Sequence, residues 1–219
     1  MTNQTSPLAR FLDDNGLTVA LFALFVACIA GQAATGFRAY NSGQTGAHLA
    51  TIGFDAYLKT GNFLDAAFSN WQAAVLQLAV LITFGALLRQ KGATHSRKAG
   101  DEGGEPGEGN NGSTAGHSWM YAHSLSLAFG AMFVLTFVAH LVFGHWKYNE
   151  DLSLQHLPAV DIGAYWASSG FWFSCFQCWE AEFAVIAIYV IFSIFLRQEA
   201  SPESKPVGAS NEQTGGANE

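Results

Sequence analysis

Charge is what this chain has least of. Asp, Glu, Lys and Arg supply 12% of its 219 residues, about half of what a water-soluble domain carries. Cysteine is scarce as well. The three present, Cys28, Cys175 and Cys178, are too few for a disulfide framework. No basic patch is available to meet nucleic acid, and much of the net charge of −7 sits in two polar stretches. Nucleophile elbows, phosphate loops and paired acid–base carboxylates are all missing. The expectation is therefore a protein that is not an enzyme, with no catalytic, cofactor or metal residues.

What the chain does have is apolar and bunched. Leu17–Phe37 contains one amide, Gln32, and no charge; Leu125–Phe143 contains one titratable group, His140. Ala73–Leu88 and Phe183–Leu196 contain no charged side chain. A hydrocarbon core about 30 Å thick needs about 20 helical residues. The first and third runs reach that length alone, and the other two reach it if they start near Trp71 and Trp179. Arg10 before the first run and "AGQAA" within it resemble a secretory leader. Asp13 and Asp14 beside the run, and the recurrence of a similar run in mid-chain, favour a retained helix.

Shifted by 108 positions, Asn15–Gln90 aligns on His123–Gln198 without a gap, with about 21 of about 76 positions identical. The matches clump: "AYN" (39–41) on "KYN" (147–149), "HL" (48–49) on "HL" (156–157), Trp71 on Trp179, "LLRQ" (87–90) on "FLRQ" (195–198). Such self-similarity marks a duplicated unit. Seven of the ten basic residues (Arg10, Arg89, Lys91, Arg97, Lys98, Arg197, Lys205) lie on the N-terminus, the central stretch and the tail. Only Arg38, Lys59 and Lys147 lie on the other two connections. The positive-inside rule then places both termini in the cytoplasm.

The expected fold is an all-α membrane protein of the bacterial inner membrane, four transmembrane helices as two parallel-repeat hairpins. Residues 1–90 make the first hairpin with its N-terminal cytoplasmic segment, and 121–198 make the second. Residues 91–120, polar and Gly/Glu-rich, and 199–219 read as disordered. The outer segments Arg38–Asn62 and His145–Gly170 read as short amphipathic helices lying on the membrane. Trp71, Trp146, Trp166, Trp172 and Trp179 would form an interfacial belt. The partner of all this is the lipid bilayer.

The duplicated blocks "RAYN", "FSNWQA", "LLRQKG", "HSLSLA", "KYNE", "FQCWEAEF" and "FLRQEASPESKPV" resemble those of an uncharacterised bacterial four-helix membrane protein family, known as a domain of unknown function. The likeness covers nearly all of the chain outside the linker and tail. It implies a four-helix membrane fold and no assigned activity, cofactor or substrate. It also implies small or amide residues where this chain carries Cys175 and Cys178.

Four polar side chains stand out within the apolar runs, because ionisable and amide groups in lipid are costly. By helical rise, Gln32 lies about 8 Å, Gln77 about 9 Å and Glu182 about 5 Å inside the outer ends of their helices, and His140 occupies the place of Gln32 in the second copy. They would either hydrogen-bond across helices or line a shallow vestibule. In either case His140 and Glu182 are expected to meet. Cys175 and Cys178, spaced Cys-x-x-Cys before the fourth run, form a redox candidate, but Ala67 and Asn70 stand at their places in the first copy. His48 and His156 as a metal bridge is a weaker signal. The row Ala20, Ala23, Ala27, Gly31 and Ala34 permits close helix approach. Its bulkier counterpart in the second copy suggests that one half faces a partner subunit in a homo-oligomer. Three functions follow: a non-enzymatic structural or interaction protein of the membrane, a small channel or permease, and a thiol–disulfide oxidoreductase.

Overall fold

A computed structural model describes residues 6–96 and 118–215. Among them every regular element is a helix: α1 (Pro7–Gly46), α2 (Phe54–Tyr57), α3 (Gly61–Leu87), α4 (Trp119–Ala122), α5 (Ser124–Leu154), α6 (Ile162–Trp166) and α7 (Ser169–Phe195). Four of them, α1, α3, α5 and α7, are long and apolar enough to cross a membrane. The stretch 97–117, most of the expected linker, lies outside the described residues. The chain divides into two compact units, one of Met1–Leu64 with Trp146–Ala159, the other of Asp65–His145 with Val160–Glu219.

Helix α1 begins on Pro7, whose missing N–H and fixed φ suit a first helical position, and runs for 40 residues, about 60 Å. It therefore continues past Arg38, where an outer segment was expected, and α5 likewise continues to Leu154. The two ends are built alike. His48 (φ 58°) and His156 (φ 55°) adopt the left-handed conformation. Leu49 N–H reaches back to Gln44 O at 2.8 Å, and Leu157 N–H to Leu152 O at 3.0 Å. These are Schellman closures, with histidine where glycine is usual. The two histidines are exposed terminators, not facing ligands.

In the first unit, Asn41 brackets Ile52 with both amide atoms, donating to its oxygen at 3.0 Å and accepting from its N–H at 2.9 Å. That pair turns the chain into α2 and explains one residue of the "AYN" block. Tyr57 is buried among Phe37, Tyr40 and Phe63. Burial, with Tyr40 beside it, pushes its hydroxyl pKa up. Its hydroxyl rests where a side chain on Gly36 would project. Thr60 Oγ1 accepts from Phe63 N–H at 3.3 Å and opens α3. Glu150 of α5 completes that end, its two carboxylate oxygens accepting from Gly61 N–H at 2.7 Å and Asn62 N–H at 3.1 Å. A carboxylate is well placed there, since the first N–H groups of a helix have no internal acceptor and carry partial positive charge.

In the second unit, Asp161 caps α6, accepting from Gly163 and Ala164 at 2.8 and 2.9 Å. The N–H groups of Ala164 and Gly163 hold its carboxyl below its usual range. Ser168 opens α7 by accepting from Phe171 N–H at 3.2 Å. Tyr165 is buried with its hydroxyl over Gly144. Phe171 has no exposed surface and is ringed by Phe137, Tyr165, Trp166 and Trp172 at centroid distances of 5.4 to 5.9 Å. Trp172 donates to Trp166 O and Trp179 to Gln72 Oε1, both at 3.0 Å. Three tryptophans assigned to an interfacial belt thus have partners inside this unit.

The residues after α7, which composition marks as a disordered tail, are held by one cation. Lys205 is 1% exposed. Its ammonium donates to the carbonyls of Gly92, Gln213, Ser210 and Asn211 at 2.7, 3.1, 3.3 and 3.3 Å. Thr214 Oγ1 accepts from Gly92 N–H at 2.9 Å, and Gly215 N–H reaches Ala93 O at 3.1 Å. Composition misses this because the tail folds around a charge rather than an apolar core. Lys205→Met keeps the stem and deletes the donors of four carbonyls. We expect it to weaken the docking of 199–215 by about 2 kcal/mol, on the scale of a charged hydrogen bond, and to speed proteinase K cleavage there. Cleavage at the wild-type rate would mean that the ammonium is dispensable.

Candidate functional site

The most enclosed polar groups of the second unit gather where α3, α5 and α7 approach one another. His140 of α5 has no exposed surface. Its Nε2 lies 3.5 Å from Asp65 Oδ1 of α3 and 3.5 Å from Ser174 Oγ of α7, and its Nδ1 lies 3.9 Å from Cys175 Sγ. With the ring proton on Nε2, that edge of the imidazole faces the carboxylate and the Ser174 hydroxyl. Nδ1 is then an acceptor for the Cys175 thiol. Local sequence permits the approach. Gly144 is one turn beyond His140, and a Cβ there would stand 2.5 Å from Tyr165 Oη and 2.9 Å from Asp65 Oδ1.

A second pair of contacts lies deeper along the same helices. Gln72, also without exposed surface, accepts from Trp179, and its Nε2 has no hydrogen-bond partner. Gln77 Nε2 donates to the backbone oxygen of Glu182 at 3.0 Å. The four polar residues picked from sequence are thus distributed. Gln77 and Glu182 meet through that one bond. His140 is paired with Asp65, Ser174 and Cys175, and not with Glu182, which lies seven residues beyond Cys175 on α7 and so about 10 Å further along the axis. Gln32 belongs to the first unit, half-buried on α1.

Asp65 is the residue that sequence reasoning missed. It stands in the second turn of α3, a carboxylate leading into an apolar helix, and its aligned position in the second copy is Phe173. An unmatched acid entering a span was the available signal.

The order thiol, imidazole, carboxylate is that of a nucleophile, its base and the group that orients the base. Here the thiol and imidazole are enclosed. Cys175 and His140 are both at 0%, so no substrate carbonyl could reach the sulfur. Cys178 is half-buried, and all three cysteines are free thiols. Among the described residues no group of three or more His, Cys, Asp and Glu side chains is arranged to hold a metal ion. What the arrangement can do is clamp three helices together through polar groups that burial would otherwise leave unsatisfied.

The domain of unknown function DUF6766 matches residues 8–216 of the chain. No curated protein and no solved structure matches it.

Proposed function

The chain belongs to the DUF6766 family, and from that premise we propose that it is a non-enzymatic, multi-pass protein of the bacterial inner membrane that acts through its contacts, as a structural or interaction protein. The observation that carries this reading is the closure of its polar centre. His140, Cys175 and Gln72 have no exposed surface, and their partners are other helices. A catalytic or conducting centre needs an approach for substrate, ion or water, whereas a clamp needs none.

Two parallel hairpins, each entering from the cytoplasm, are the arrangement we favour. Every long-helix boundary of the second half after its start repeats one of the first at the same offset of 108: Gly46 and Leu154, Gly61 and Ser169, Leu87 and Phe195. Left-handed residues recur at that offset too, His48 with His156 and Gly92 with Ala200. So does the bond from a glutamine N–H to a serine hydroxyl, Gln90 to Ser96 at 2.7 Å and Gln198 to Ser204 at 2.8 Å. Helix ends with the same turn chemistry on the same register are what duplication of a hairpin produces.

A channel or permease is the second reading, favoured by the unpartnered Nε2 of Gln72, which has room in its chemistry for a water. Liposome flux separates the two. We expect vesicles with the reconstituted protein to pass protons, potassium and chloride no faster than empty vesicles. Saturable flux abolished by Gln72→Leu would overturn the structural reading in favour of a pathway. Single cysteines placed before Pro7 and after Gly215 should be labelled from the same side of intact cells, and labelling from opposite sides would end the parallel arrangement.

A further inference from the structure

A cavity of about 310 Å³ lies between the C-terminal halves of α3 and α7. Its walls are Val80, Leu81, Phe84, Leu88, Ile186 and Val190, and its polar lining is Arg89, Gln90, His95 and Ser96 after the last turn of α3, with Tyr189 and Ser193 of α7, which bond to His95 and Thr94 of that same stretch. An apolar slot with a polar mouth at a helix end has the amphipathic layout of a lipid. We propose that it holds one acyl chain of an anionic phospholipid, with the phosphate held by Arg89.

The charge argument comes from a comparison within the chain. Arg197 stands at the equivalent place after α7, and its guanidinium is filled. It donates to the carbonyls of Ile194, Leu196 and Ala209 and to Asn211 Oδ1 at 2.8 to 3.0 Å. Arg89 is exposed and has no acceptor among the described residues. The nearby carboxylates are already engaged, Glu203 by His95 at 2.7 Å and Glu212 by Lys91 at 3.2 Å. Nothing in this set of ion pairs is left to balance Arg89, and a planar guanidinium binds a phosphodiester through two parallel hydrogen bonds. The volume falls at the small end of the range for ligand pockets, which suits a single chain rather than a sterol or a two-tailed anchor.

The proposal rests on the membrane placement, and its test is built to tell the two apart. Phe84→Trp puts a reporter on the slot wall. The full-length protein is reconstituted with phosphatidylcholine or phosphatidylglycerol brominated in the acyl chain, and quenching is compared with that of the protein retaining Phe84. The extra emission should be quenched by the anionic lipid at about five-fold lower mole fraction, the factor that corresponds to one basic residue near a charged surface. Arg89→Gln should abolish the five-fold preference and leave quenching by phosphatidylcholine unchanged. Val190→Phe, tested without the reporter for folding by its melting profile, should reduce quenching by either lipid when combined with it, and unchanged quenching would overturn the slot as the site.

Equal quenching by both lipids with Arg89 present would overturn the proposal, as would a preference that survives Arg89→Gln. So would a preference erased by inorganic phosphate, since the site would then take a free anion. Failure of brominated lipid to quench even the native tryptophans would remove the membrane placement itself.

Discussion

Asp65→Ala is expected to lower the melting temperature of the detergent-solubilised protein by about 6–12 °C, the equivalent of about 3 kcal/mol. The reason is what it leaves behind. His140 keeps its place at 0% exposure, its Nε2 without the neighbouring carboxylate and with Ser174 Oγ at 3.5 Å. Removing one member of a buried polar pair costs more than the pair contributes, because the survivor is stranded. Asp65→Leu combined with His140→Leu should therefore recover most of the loss, since neither partner remains to be satisfied. Differential scanning fluorimetry on the single and double variants measures this directly. Additive losses would show that the two side chains do not act as a pair.

Gly61→Ala is expected to be comparably damaging, about 3 kcal/mol. A methyl group at Gly61 would stand 2.6 Å from the carbonyl carbon of Trp146 and 2.7 Å from Lys147 Cα, and closer still to Lys147 N. These are backbone atoms of α5, so no rotamer change can clear them. Separation of the chains at this point also withdraws Glu150 from the two N–H groups it caps. Glu150→Gln isolates that second loss. It keeps an acceptor of the same shape, removes the charge, and should cost about 1 kcal/mol at a helix N-terminus. If both variants melt with wild-type protein, the crossing of α3 and α5 at Gly61 is not close.

The four long apolar helices were legible because scarcity of charge is a one-dimensional property. Runs such as Leu125–Phe143 declare themselves without any knowledge of neighbours. Short sequence matches carried local information: the histidine of each "HL" is a left-handed helix terminator, and the tyrosine of each "AY" is the one whose hydroxyl lies over a glycine. What a count of residues does not supply is azimuth or stagger. Gln77 reaches the Glu182 backbone across two helices, while His140 lies beside Asp65 and Cys175, about 10 Å from Glu182 along α7, so both the rotation and the axial stagger of the helices separate these outcomes. The ends of α1 and α5 were misplaced for a different reason. Arg38–Gly46 is polar enough to leave lipid, yet helix continues wherever nothing stops it, and the stop is a left-handed histidine, not a change in polarity. The tail after α7 went unread because four backbone carbonyls, invisible in any composition, hold Lys205.

The tyrosine hydroxyls of Tyr57 and Tyr165 each occupy the space that a side chain on Gly36 or Gly144 would fill. That makes each tyrosine and its glycine a single heritable character. An alanine arriving alone at either glycine meets an oxygen, and a phenylalanine arriving alone at either tyrosine opens a gap beside bare backbone. Among related chains the two changes at each site should appear together or not at all. Each pair would then change in a single evolutionary step or stay fixed.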